Sequence, residues 1–208
     1  MSARPLSTTH HALLCLLSLR PWSAYALVGQ MRRSLDLIWP RAQSNLYADL
    51  KRLADEGLVI RTFTRTGRRP RTEYALDPSG EQYLRAWLET PGAAPVFECE
   101  ALVKLAYVGA DAQAAALRQI DVLAQHAQDR LALGRNVATQ YLEADTAAPR
   151  LHINAVMWRF LWEQHQAIAR WAEWADEEVR RWPTTDDTPA LRARGRELFA
   201  QAVSELDR

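Results

Sequence analysis

At Gly57 the sequence changes period, and that change limits the fold more than any other feature. Upstream, Leu46, Leu50 and Leu53 recur at helical spacing, within about 60° of one another at 100° per residue. Downstream, residues 59–66 and 71–76 are β-branched and aromatic runs separated by Gly67-Arg68-Arg69-Pro70. A helix over residues 43–56, closed by a left-handed glycine, therefore runs straight into a β-hairpin with an arginine-rich tip.

The neighbouring segments extend this unit. An apolar block over residues 8–19 has helical spacing and stops where Pro21 biases Arg20 away from helix. Ser23 is placed to cap a second helix reaching residue 34. After the hairpin, Asp77 and Pro78 supply the cap and first position of a fourth helix. Two prolines and a glycine in "ETPGAAPV", residues 89–96, mark a boundary between residues 1–90 and 91–208. The second part reads as helical: a short helix over 97–108 broken at Gly109, long helices over 111–143 and 151–182, and a last over 189–206. The last carries a stripe of Leu191, Leu198, Phe199, Ala202 and Leu206.

Composition sets the class. With 48% hydrophobic and 25% charged residues, the 208-residue chain can bury a real core and reads as globular. No apolar run is long enough for a membrane span, and the N-terminus lacks the pattern of a secretory leader. Cys15 and Cys99 sit in apolar helical patterns and fit reduced, buried thiols, so the expected compartment is cytoplasmic and no membrane partner is expected. The net charge of +1 divides unevenly. Residues 1–90 hold 13 Lys/Arg against 8 Asp/Glu, net +5; residues 91–208 hold 13 against 17, net −4. Only the first part is suited to a polyanion.

Three short helices followed by a hairpin is the order of a winged helix-turn-helix, whose third helix fills a major groove while the hairpin reaches flanking phosphates or the minor groove. The expected fold is mainly α: an N-terminal winged helix-turn-helix with a two-stranded β-hairpin wing, then an all-α C-terminal dimerisation domain. Opposite the leucines of the third helix stand Ser44, Tyr47, Ala48 and Lys51, with Arg52 alongside. Tyr47 and Ser44 can donate to phosphates or bases, and Lys51 can neutralise a phosphate or meet a guanine. In the hairpin, Arg65, Arg68, Arg69 and Arg71 repel one another unless an anion accepts them. Each feature alone also fits an ordinary wet face or a solvated loop. Their order points to double-stranded DNA as the partner, with a winged-helix protein-interaction adaptor as the alternative. No Gly-rich phosphate loop, metal-ligand cluster or nucleophile–base pair suggests an enzyme, and no cofactor is expected.

"LLCLLSLRPWSAYAL", "SNLYADLKRLADEGLV" and "GRRPRTEYALDPSG" resemble the consecutive motifs of the PadR family of bacterial transcriptional regulators. The resemblance covers residues 8–90 and rests on Leu46-Tyr47, Leu50-Lys51-Arg52-Leu53 and Glu56-Gly57-Leu58. It extends more loosely to "FECEALVKLAYVG" and the long helix after it. It implies a homodimeric regulator, usually a repressor, that binds an inverted repeat and releases it on meeting a small molecule. The chain departs from the family where Ser23-Ala24 precede Tyr25 in place of His-Gly, and where Ala48-Asp49 follow the Leu-Tyr pair in place of Pro-Ala. These changes bear on the operator sequence. Residues 189–206 lie outside the common pattern.

In the acidic half, Leu117, Ile120, Ala124, Ala127, Leu131, Gly134, Ala138 and Tyr141 step alternately by three and four, the spacing of a coiled-coil seam. Five of the eight tryptophans fall in residues 151–182. Ile153, Met157, Phe160, Ile168 and Trp171 form one stripe of that segment, and Trp158 and Trp162 project from the other side. A helix apolar on two faces is buried on both, so the sequence assigns Leu117, Ile120, Leu131, Tyr141, Trp158 and Trp162 to a dimer contact. A bundle within one chain is the competing reading. Trp158, Trp162 and His165 are also candidates for binding a small aromatic or hydrophobic effector. His11 and Cys15 stand four residues apart, but nothing completes a metal site, and His152 and His165 are out of register for one.

Overall fold

The computed structural model of the chain describes residues 5–35, 43–66, 69–143 and 150–206, excepting the side chains of 32–35, 43–44, 64–66, 69–71 and 206. Backbone proximity divides it into two units, Met1–Pro95 and Val96–Arg208.

The first unit runs α1 (Thr8–Leu17), β1 (Trp22–Ser23), α2 (Ala24–Leu35), α3 (Gln43–Asp55), β2 (Val59–Thr66), β3 (Arg69–Leu76) and α4 (Pro78–Leu88). Local chemistry fixes the joints. The Trp22 indole N–H donates to the Leu16 carbonyl at 3.1 Å, tying the following strand to the end of α1, where the Leu19 N–H shares the same acceptor. The Ser23 hydroxyl accepts from the Ala26 N–H at 3.3 Å and caps α2. Gly57 takes φ +73°, and the Leu58 and Gly57 N–H groups return to the carbonyls of Leu53 and Ala54, closing α3 with a Schellman turn. The Asp77 carboxylate accepts from the Ser79 N–H at 2.9 Å, with Pro78 at the first helical position of α4. At Gly80, α4 passes so close to the Leu58 carbonyl that a Cβ would collide with it.

The wing is the expected two-stranded hairpin of β2 and β3, and a short third strand joins its sheet in the order β1-β3-β2, because Trp22 and Ser23 pair with Tyr74 and Glu73. A two-residue strand is too short to leave a period in sequence. β3 also begins at Arg69 instead of residue 71, with Thr66 opposite Arg69 and Arg65 opposite Pro70. The proline is tolerated there because β1 reaches only as far as Glu73, leaving that end of β3 paired on one side. Leu13, Leu27, Leu46, Leu50, Leu53 and Tyr74 lie in the core that joins helices to sheet.

The second unit comprises α5 (Glu100–Ala106), α6 (Gln113–Glu143), α7 (Leu151–Arg180) and α8 (Pro189–Leu206). Cys99 is the residue before α5, outside the helix in which the sequence places it, and both cysteines are half-buried free thiols instead of fully buried ones. α6 and α7 pack antiparallel. The Asn154 amide donates to the Tyr141 hydroxyl, the Trp158 indole to the Gly134 carbonyl, and Gln113 to the carbonyls of Val179 and Trp182. Each helix is about 45 Å long at 1.5 Å per residue. Their buried seam centres on Ala116, Ile120, Ala172, Ala175 and Val179.

α8 docks through charge. Arg194 donates to both oxygens of the buried Glu178 carboxylate, each at 2.9 Å. The guanidinium beside Glu178 holds that carboxyl below its ordinary value. Leu191 and Leu198 turn inward and help line an open cavity of about 270 Å³, but Phe199 and Ala202 of the expected stripe face outward.

Candidate nucleic-acid interface

α3 divides by face as its spacing predicts. Leu46, Leu50 and Leu53 are buried, while Ala48 and Lys51 are exposed and Tyr47 keeps 47% of its surface open. Arg52, at the edge of this face, donates from Nε to Glu56 at 2.7 Å and is half-buried. A DNA phosphate recruiting Arg52 has to compete with Glu56. The side chains of Ser44, Arg65, Arg69 and Arg71, and Arg68 entirely, lie outside the described residues; the backbone positions of Arg65, Arg69 and Arg71 are on the paired strands of the wing.

Asp49, half-buried between the two faces of α3, is drawn away from the wet one. Asp49 Oδ1 lies 3.3 Å from Nε2 of His10, a buried residue of α1. The His10 Nδ1 accepts from the Ser7 N–H at 3.1 Å, so the proton of the neutral ring sits on Nε2, facing Asp49. Asp49 thus helps seat α3 on α1. Next to it His11 stacks on Trp87 of α4 at 4.3 Å between centroids, and its Nε2 lies 3.3 Å from the Tyr83 hydroxyl. Burial pushes the His11 pKa below its ordinary value. Cys15 has no part in these contacts, and among the described residues no group of three or more His, Cys, Asp or Glu could hold a metal ion.

Sequence reasoning passed over two exposed aromatics. Tyr25, in the first turn of α2, is 84% exposed beside a helix N-terminus, a position whose free N–H groups favour anions. Phe63, on β2, is 72% exposed. The exposure of Phe63 follows from counting faces once the strand register is known, whereas Tyr25 lies within the motif "LLCLLSLRPWSAYAL", which does not mark its exposure.

In the second unit the N-terminal half of α7 turns the other way from expectation, while Ile168 is half-buried and Trp171 packs on the α6–α7 core. Trp158 and Trp162 stack at 5.2 Å and turn inward onto α6, where a Cβ at Gly134 would meet both rings. Ile153, Val156 and Met157 face outward, as does Phe160 at 61% exposure. A small residue of α6 favours this: Gly134 leaves room beside both indoles. Ile120 is buried against its own chain, Leu117 and Leu131 are half-buried, and Tyr141 is bonded to Asn154. The α6–α7 contact of one chain therefore uses the seam that the sequence assigns to a second subunit.

His165 lies beside this seam. Its Nδ1 is buried without a hydrogen-bond partner, its ring meets the edge of His126 at 5.8 Å, and its pKa is lowered by burial and by the charges of His126 and Arg130. His152 is exposed, remote in sequence from that pair.

Comparison with known proteins gives the same picture from another side. The family model described as "Transcriptional regulator PadR-like family" matches residues 13–86. The negative transcriptional regulator PadR of Bacillus subtilis (strain 168) is 33% identical over 79 residues, which are 38% of this chain and 43% of that protein. The match thus spans less than half of the relative's length. Among solved structures, Bacillus subtilis PadR in complex with operator DNA superposes with a TM-score of 0.71 at 20% identity, over 83% of this chain and 99% of that one. The same protein in complex with p-coumaric acid gives 0.68 at 19%, over 87% and 100%. The Vibrio cholerae virulence activator AphA gives 0.64 at 20%, over 83% and 98%.

Proposed function

We propose that this chain, whose residues 13–86 match the PadR-like family model, belongs to that family of transcriptional regulators and represses transcription as a homodimer bound to an inverted-repeat operator. The observation that carries the reading is the split of α3: three leucines locked in the core of the family-matching unit, and Tyr47 and Lys51 open on the other side with the wing beside them. In this reading residues 1–90 bind DNA. Ser44, Tyr47, Lys51 and Arg52 meet the major groove, and Arg65, Arg68, Arg69 and Arg71 neutralise flanking phosphates. Repression is favoured by the relative named a negative regulator. Such a protein works in the cytoplasm, and among the described residues no helix is long and apolar enough to cross a membrane.

Residues 91–208 hold the dimer contact and a site for a small aromatic effector. The dimer surface that best fits is the outward stripe of α7, Ile153, Val156, Met157 and Phe160, in place of the inward Trp158 and Trp162. A contiguous apolar stripe on a helix calls for a partner, and a two-fold pair is what an inverted repeat requires. The effector is assigned to Trp158, Trp162 and His165 because the unpartnered Nδ1 offers a polar anchor next to stacked aromatic surface. Release then follows if the ligand prefers the subunit arrangement in which the two α3 helices no longer match a DNA turn of about 34 Å.

The test is selection from a randomised duplex library with the full chain, followed by binding of the selected duplex across a salt series. An inverted repeat is expected, with affinity falling steeply as salt rises. Lys51→Ala should weaken binding and lower the slope of log K against log salt by about one. A folded protein that selects no duplex, or whose partner contacts survive high salt, points instead to a protein-binding adaptor.

A further inference from the structure

The register of the wing places Val59, Arg61 and Phe63 on one face of the sheet, opposite Leu76, Tyr74 and Thr72. At its base this face is core: Val59 and Tyr74 are buried and Leu76 packs against them. Four residues along β2 the same face is open, and the Phe63 ring stands in solvent. The strands have run past the helices that cover them. The Arg61 guanidinium lies 5.1 Å from the Phe63 centroid, within reach of a cation–π contact that holds the ring beside a positive charge. Further toward the turn come Arg65, Arg68, Arg69 and Arg71. An apolar ring beside the Arg61 guanidinium, on a strand that leads into an arginine-rich sequence, is a poor surface for packing against another protein, since the charge would have to be desolvated. Its chemistry fits a polyanion that also presents apolar edges, and the minor groove of DNA, with its sugar rings and base steps between two rows of phosphate, is such a surface.

We propose that Phe63, steadied by Arg61, is an apolar wedge that enters the minor groove next to the α3 site and partly unstacks one base step. The inference rests on the DNA-binding reading above and adds a determinant of sequence choice that makes no hydrogen bond. Pyrimidine–purine steps open most readily, so the wing selects TA or CA/TG at the position it meets.

The experiment uses the full chain and the selected duplex, with 2-aminopurine replacing adenine at successive flanking steps and affinity read by fluorescence anisotropy across a salt series. Wild type should raise 2-aminopurine emission at one flanking step. Phe63→Ala, with its thermal unfolding unchanged, should lose that rise and bind about tenfold more weakly with the same salt slope, since no charge is removed. Phe63→Leu should keep most of the affinity, and Arg61→Ala should lower the slope by about one. Wild-type binding without any emission rise, or a Phe63→Ala variant that binds within about twofold of wild type, overturns the wedge while leaving the regulator intact. Failure of the wild type to select any duplex removes both.

Discussion

His11 and His165 show how single residues acquire properties that their sequence neighbours do not announce. Each is held below the ordinary histidine value of 6.5, first of all by burial. The folded chain therefore resists protonating them, whereas the unfolded chain takes up protons as pH falls through 6.5. Their stabilising effect is complete above that value and is lost below it. The unfolding temperature should drop between pH 7.5 and 5.5, and His165→Gln should reduce that drop; an unchanged pH dependence would show that the ring is already solvated. Residues acting through local backbone geometry were legible beforehand. Ser23, Gly57, Pro78 and Asp77 each sit where the sequence placed them, because a cap needs only its own few neighbours. The His10–Asp49 contact joins residues 39 positions apart, and nothing local encodes it.

Among the elements, helix positions and periods were readable, but the side each helix turns inward was not always so. α3 has a single apolar stripe, and its three leucines could point only one way. α7 has two stripes, and the choice between them lies on α6, where Gly134 leaves space for indoles. That space makes a prediction with a sign. A methyl at Gly134 would meet Trp162 and Trp158 at ordinary contact distances of 3.5 and 3.6 Å. Gly134→Ala should therefore gain up to about 1 kcal/mol from helix propensity. Gly80→Ala has the same helical benefit but drives a Cβ into the Leu58 carbonyl, and should lose about 1–3 kcal/mol. Urea unfolding of the two variants tests both, and equal shifts would mean that the backbone at Gly80 yields. The same dependence on a partner element hid β1, whose two residues become a strand only because β3 lies beside them.

At the scale of the whole molecule, the outward stripe of α7 is an apolar surface left to be covered. Placing a charge in it, as Phe160→Glu does, should convert a dimer to a monomer in sedimentation without lowering the unfolding temperature, because the side chain is already exposed in one chain. DNA affinity should then fall by orders of magnitude, since one half-site offers half the contacts. A Phe160→Glu dimer would move the subunit contact elsewhere. The wet face of α3 was legible because period and charge both mark it; the inward side of α7 near Trp158 was not, because both stripes of that helix are equally apolar in sequence.

The inward pair of indoles also gives the protein an optical gauge of its own. Trp158 and Trp162 sit stacked in the α6–α7 seam, and anything that pries those helices apart transfers both rings toward water. Their emission then moves to longer wavelength with no label attached. A titration of small aromatic acids could be followed by colour alone, separating compounds that merely bind from those that change the hairpin's shape.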